Sequence, residues 1–352
     1  MRILHWALAL IGTVALVLPL RAQEPTRIGT TAANFLEIGY GTAGSAMGDA
    51  YVSMANDLTA LYWNPAGLAA MKKNQALFVY QPWIAGIKTS FTGVGLNLNS
   101  YGTLSFGFTS VNYGDMKVTT MAMQEGTGEL FSANDMAFSF AYARKLTNWF
   151  SFGGAGKYVR SSIWHTDASA MAIDLGVIIN TYFFSPNGRR EQGLNIGMSI
   201  SNYGSRMRYD GIDLIHPIDI LTDENGNFSD VPGRFHLSEW ELPLIFRLGA
   251  SVTPLYSDHH ELILGFDAIH PNNNNESINL GAQYALTSPG FGRLFLRGGY
   301  KALFMDHSEF GPTFGAGVEM FTLHNTGVKI DYAWRDVGML GNINTFGVMV
   351  MF

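Results

Sequence analysis

The sequence predicts an all-β chain: a transmembrane antiparallel β-barrel of about fourteen strands behind an N-terminal helical hatch. Three observations lead there. Charged residues make up 14% of the 352 and aromatics 13%, with 40 glycines, whereas a soluble domain carries roughly 25% charge. From residue 75 onward apolar residues recur with a period of two, the period of a strand with one wet and one dry face. The last strand carries Phe346, Val348, Val350 and Phe352 on one face and stops there.

Residues 1–22 read as a secretory signal. Arg2 supplies the positive start, Trp6 to Leu20 the apolar stretch, and Leu20-Arg21-Ala22 the cleavage site before Gln23. That apolar run is short for a membrane helix and is broken by Pro19, and no later stretch reaches the 18 or so apolar residues a spanning helix needs. A chain of this kind crosses a membrane only as a closed barrel, because open sheet edges cannot face lipid.

Residues 23–74 read as a hatch segment. Gly39, Gly41, Gly44 and Gly48 follow one another closely, and Met47, Ala50, Tyr51, Met54, Leu58 and Leu61 fall at helical steps. Asn64-Pro65-Ala66-Gly67 ends that pattern, as an Asn-Pro pair does.

Residues 75–352 read as the barrel. Leu104, Phe106 and Phe108 alternate with Ser105, Gly107 and Thr109; Leu242, Leu244, Phe246 and Leu248 alternate around Arg247; Val328, Ile330, Tyr332 and Trp334 alternate with Lys329, Asp331 and Arg335. Strands are expected near 75–81, 86–98, 102–113, 134–146, 150–163, 168–184, 193–203, 241–254, 260–271, 276–286, 294–303, 311–320, 325–337 and 342–352. If the first strand leaves the periplasm, the two longest connections, 114–133 and 204–240, both fall outside the cell, where barrels keep their long loops. Trp83, Tyr113, Trp149, Trp164, Tyr203, Trp240, Tyr256 and Trp334 lie near strand ends and are expected as girdle aromatics facing outer-membrane lipid. Arg247, Asp267, Arg297, Lys301, Lys329, Asp331 and Arg335 point inward on this parity. Both signs occur together, so ion pairs are expected to fill much of the lumen.

The search for chemistry ends without a site. No cysteine is present, which removes thiolate metals, disulfides and cysteine nucleophiles. Gly154-x-Gly156-Lys157 lacks the first Gly and the Ser/Thr of a phosphate loop, and His259-His260-Glu261 reads as a solvated turn. Asp223, Asn225 and Asn227 lack the later Glu of a calcium loop. No metal, cofactor or catalytic set is expected, and a net charge of −6 speaks against nucleic acid.

Residues 29–68 carry a more specific signal. Gly29-Thr30-Thr31-Ala32-Ala33-x-Phe35-Leu36-x-Ile38-Gly39, Met47-Gly48-Asp49-Ala50-Tyr51-Val52 and Asp57-x-x-Ala60-Leu61-Tyr62-Trp63-Asn64-Pro65-Ala66-Gly67-Leu68 resemble the PorV/PorQ family of outer-membrane proteins. The resemblance singles out Met47, Gly48, Asp57, Trp63, Asn64, Pro65 and Ala66 as hatch motif positions. It implies a barrel similar to the FadL fatty-acid transporters, in the outer membrane of a Gram-negative bacterium, without enzyme activity. PorV-like barrels of the type IX secretion system receive secreted proteins bearing a C-terminal sorting domain and pass them to the surface machinery. On that implication loops 114–133 and 204–240 would meet cargo, with Phe228, Phe235 and Trp240 as apolar anchors, and Phe352 would be the membrane-insertion signal. A FadL-like transporter of hydrophobic solutes and a purely structural outer-membrane protein are the other expectations.

Overall fold

Alternation closes a sheet only if every strand finds two neighbours, and here each does. The computed structural model describes residues 27–223, 226, 230–305, 308–321 and 326–352; the leader read at 1–22, and Phe228, lie outside them. Among the described residues fourteen long strands form the wall: β1 (Gln75–Pro82), β2 (Lys88–Asn97), β3 (Thr103–Lys117), β4 (Leu130–Lys145), β5 (Phe150–Ile163), β6 (Thr166–Asn180), β7 (Asn195–Gly204), β8 (Ile245–Tyr256), β9 (His260–Pro271), β10 (Ser277–Ser288), β11 (Gly292–Leu303), β12 (Pro312–Phe321), β13 (Gly327–Asp336) and β14 (Asn342–Met351). Sequential strands pair antiparallel throughout, and β14 returns to β1 with Gln75 opposite Met351 and Tyr80 opposite Phe346. Asn74 and Phe352 exchange backbone hydrogen bonds of 3.0 Å across this seam.

The pleat sorts side chains as expected. Phe106 and Phe140 face each other across β3 and β4 on the outside with ring centroids 5.1 Å apart, and Tyr332 meets Phe346 at 5.4 Å. Phe78, Phe138, Phe314 and Val348 are likewise exposed large apolar residues, the surface a barrel turns to lipid. Inward positions carry Ser, Thr, Ala, Gly and the buried charges.

Several expected boundaries shift. β3 and β4 run past the expected loop edges: Asp115 to Lys117 pair with Leu130 to Ser132 after a register shift, leaving 118–129 as the connection. β6 stops at Asn180, so 181–194 is a connection of its own. β8 starts at Ile245, not 241; Pro243 donates no backbone bond, and Leu242 turns inward as a buried core residue.

Inside the wall, residues 27–74 run from one end of the barrel to the other. Ala32 N donates to Glu241 O (2.9 Å) where the chain enters, and Asn97 Nδ2 donates to Met71 O (2.6 Å) where it leaves toward β1. The helix expected from Ala46 to Leu61 is not continuous. Two short helices flank it, α1 (Thr42–Ala46) and α2 (Ala60–Trp63), with turns between. Gly48 and Asp49 both take positive φ, 64° and 66°, a conformation that ends a helix. The wall replaces the lost helical bonds: Thr313 Oγ1 accepts from Gly48 N (2.8 Å), and Asp267 accepts from Tyr51 N (2.7 Å) and Val52 N (2.9 Å). Apolar residues at helical spacing are buried here because the barrel encloses them on every side.

Candidate functional site

Two features are candidates: the seam between hatch and wall, and the end of the barrel where the hatch enters.

The seam is held by hatch carboxylates. Asp49 meets Lys301 at 2.7 Å and also Arg335. Asp57 accepts from Lys329 (3.1 Å) and from the Thr59 hydroxyl and amide. Behind them Arg297 pairs with Asp331 at 2.6 Å and bonds Gln283 at 2.7 Å. Burial would raise both aspartates, yet the cations outweigh it: Arg335 and Lys301 hold Asp49, and Lys329 holds Asp57, below the ordinary value of 3.8. The inward charges expected from parity are therefore present, but several of the cations answer the hatch rather than one another. Asp49 was not singled out from sequence as a site position; its signal was the acid in Met47-Gly48-Asp49-Ala50.

Motif residues supply the rest of the seam. Asn64 caps the turn Pro65–Ala70 by accepting from Ala66 N (3.1 Å), while its Nδ2 reaches Val52 O and the wall carbonyl of Val177, each at 3.0 Å. It can do so because position 176 is glycine; a Cβ there would stand 2.0 Å from Asn64 Oδ1. Met47 is fully buried against β10 and β11, and a Cβ on Gly299 would meet its carbonyl carbon at 2.3 Å. Trp63 is 1% exposed, stacked edge-on to Tyr62 at 4.7 Å and seated on Gly41 and Gly44 of the hatch itself. So Trp63, Asn64, Pro65 and Ala66 act on one part of the wall, β5 to β7, and Met47 and Gly48 on the opposite part, β10 to β12.

At the entry end lies a cavity of about 370 Å³ between hatch and wall. Phe35, Ile38, Trp83, Val111, Ile269 and Phe310 make it largely apolar, and Tyr62 and Trp63 also line it. Its charged groups are Glu37, Asp49, Arg247 and Lys301, with Arg247 5.1 Å from the Tyr62 ring centroid and Lys301 4.0 Å from that of Phe310. Burial lifts the Glu37 carboxyl above its ordinary range, against the Asn273 hydrogen bond, Lys301 and Arg247. Trp83 and Tyr113, expected as girdle aromatics, line this cavity instead, because they continue the inward rows of Val79 and Gln81 and of Ser105 and Val111.

The same end carries the connection 205–244. Within it Ile215–Ile218 pairs with Val231–Arg234 as a small hairpin. Phe235 follows the hairpin, 57% exposed, its ring 5.0 Å from His216. Trp240 exchanges backbone bonds with Met207 (2.8 and 2.9 Å) and leaves its indole 49% exposed. Ile212, Ile218 and Ile220 are exposed beside them.

A family model described as type IX secretion system protein PorV matches residues 21–220. No curated protein matches the chain. Among solved structures the barrel is similar to a FadL homologue of Pseudomonas aeruginosa (11% identity, TM-score 0.51, 90% of this chain and 99% of that one). It is also similar to the toluene transporters TodX of Pseudomonas putida (11%, 0.54, 89% and 96%) and TbuX of Ralstonia pickettii (11%, 0.53, 89% and 97%). At such identities the likeness is one of fold.

Proposed function

The chain belongs to the PorV family of type IX secretion system proteins, and from that premise we propose that it binds secreted proteins at the outer face of the outer membrane and hands them on. The observation that carries this reading is the entry end of the barrel. A long connection, 205–244, holds Ile212, Ile218, Phe235 and Trp240 in water, and exposed apolar groups clustered on one face mark protein contact surfaces. Binding rather than bond chemistry is the activity such a surface supports. The hatch, pinned by Asp49, Asp57 and Asn64, suits a barrel that offers its mouth while its lumen stays filled.

Quantitative surface and periplasmic proteomics of a deletion strain tests the reading. Proteins with a C-terminal sorting domain should vanish from the surface and build up as unprocessed precursors in the periplasm. An unchanged surface proteome would sink it. Complementation with Phe235→Ser and Trp240→Ser together should restore barrel assembly but not surface display.

A second reading is favoured by the apolar cavity. About 370 Å³ is within the size range of sites for small hydrophobic molecules, and the similar solved barrels include toluene transporters. Loss of labelled fatty acid or toluene uptake in the same deletion strain, with surface proteins unchanged, would establish transport instead.

A further inference from the structure

At the end of the barrel where β1 starts and β14 stops, the chain turns in a few residues at 98–102, 146–149, 257–259 and 289–291. The long connections 118–129 and 205–244 lie at the opposite end, so this is the periplasmic rim. The connection 181–194 is longer, and it is built rather than slack. Thr181 N donates to Leu194 O (3.1 Å), Leu194 N to Phe183 O (2.7 Å), the Ser185 hydroxyl to Arg189 O (2.7 Å) and Arg189 N to Asn187 Oδ1 (3.0 Å). The backbone and neutral polar groups are thus turned on one another, and what the loop presents is aromatic and basic.

Tyr182, Phe183 and Phe184 are 58%, 70% and 78% exposed. Phe184 is held at φ 60°, a conformation a bulky residue rarely adopts unless its surroundings impose it. Arg190 lies 4.1 Å over the Tyr182 ring, and Arg189 beside it is exposed. Asn180 N donates to Trp149 O (2.8 Å), which ties the loop to the neighbouring turn. There Leu146 and Trp149 are exposed and β4 ends on Arg144 and Lys145, both exposed. Glu191 is the acid of the loop, so basic groups dominate the patch.

Position decides what this patch meets. The outward row of β6, Met171, Ile173, Leu175, Val177 and Ile179, runs down to this loop, which follows Asn180 directly. At about 3.3 Å per residue and a tilt of roughly 40°, the strand end Asn180 lies about 23 Å below Met171, close to the height of a barrel's apolar band, which puts the loop that follows at headgroup depth of the far leaflet. Aromatic rings favour that layer, and arginine forks match phosphate oxygens. We propose that the 181–194 loop and the adjoining turn 146–149 form a docking surface for anionic phospholipid headgroups of the periplasmic leaflet. The rings of Phe183 and Phe184 enter the interface, and Arg189 and Arg190 hold the phosphates.

The full-length barrel in detergent, offered equal phosphatidylglycerol and phosphatidylcholine, should retain the anionic lipid several-fold over the zwitterionic one in native mass spectrometry. Arg189→Gln with Arg190→Gln should bring retention to parity while heat-modifiable mobility reports an intact barrel; Arg189→Gln alone, at an exposed side chain, should lower it part-way. Equal retention by the parent protein, or an unchanged preference in the double variant, overturns the proposal. Because the chain has no cysteine, Phe184→Cys accepts a single nitroxide label. In vesicles of phosphatidylethanolamine and phosphatidylglycerol the label should be relaxed by oxygen and shielded from a water-soluble nickel chelate. A label open to the chelate refutes lipid docking.

Discussion

Asp49 illustrates how one side chain can hold a whole segment. Its carboxylate serves Arg335 and Lys301 from two different strands, so removing it leaves the buried Arg335, and Lys301 beside it, without their ion pair. Breaking a buried pair from one side costs about 3–5 kcal/mol. Asp49→Ala should therefore lower the temperature of barrel unfolding in detergent, measured by heat-modifiable mobility, and Arg335→Met in the same chain should recover part of that loss. Both Asp49 and Asp57 sit below 3.8 when folded. Their contribution is therefore present above that value and lost as pH falls beneath it. Amide protection around Asp49 and Asp57 should decline as pH falls below about 4.

Glycine 299 works by what it lacks. A Cβ there would meet the Met47 carbonyl carbon at 2.3 Å, whereas one on Gly156 would meet nothing within 4 Å. Gly299→Val should leave an assembled barrel whose hatch is cut by protease, while Gly156→Ala should resist like the parent. The opposite result would mean that the hatch tolerates displacement at this wall.

At the scale of elements, the hatch is stabilised less by its own helices than by the wall. α1 and α2 are one turn or little more, too short to persist alone, and their neighbours lend Thr313, Asp267 and Val177 as bonding partners. Asn64 joins cap and wall in one side chain. Losing a cap alone costs about 1 kcal/mol, and each buried carbonyl left unpaired about 1–3 kcal/mol more. Asn64→Ala should accordingly speed hydrogen exchange across residues 60–70 while leaving β1–β14 unchanged. Uniform acceleration of hatch and strands would show instead that the two unfold as one unit.

The elements also show where sequence reading failed. Period-three spacing from Met47 to Leu61 suggests a helix, but spacing reports only that residues are buried periodically. Within a closed wall every direction is buried, so the pattern loses its meaning. The two left-handed residues, Gly48 and Asp49, stand in the sequence as a Gly-Asp pair, yet nothing local says which wall side chains will take over the helical bonds. Trp83 and Tyr113 misled because closeness to a strand end was weighed without parity: they fall on the inward rows of Val79 and Gln81 and of Ser105 and Val111, so alternation itself turns them toward the lumen.

For the whole molecule, closure depends on β14 reaching β1, and Phe352 is the last residue to join, through its backbone to Asn74. Its ring is 52% exposed on the outer face, and we propose that this residue is the signal read for membrane insertion. Deleting Phe352 should reduce the amount of heat-modifiable barrel in outer-membrane fractions several-fold, with the unassembled chain recovered from the periplasm. A normal yield would show that the seam forms without it.

From sequence alone came the barrel, its parity and its N-terminal motif, because alternation, scarce charge and local motif spacing are properties of consecutive residues. The inward placement of Arg247, Arg297, Lys329 and Arg335 followed from the same parity. Tertiary structure alone decided whom those charges meet. Asp49 lies far along the chain from Lys301 and Arg335, and the choice between a wall partner and a hatch partner depends on how deep the hatch sits. That depth is set by steric contact at glycines such as Gly176 and Gly299, a condition between distant backbones that no local pattern records.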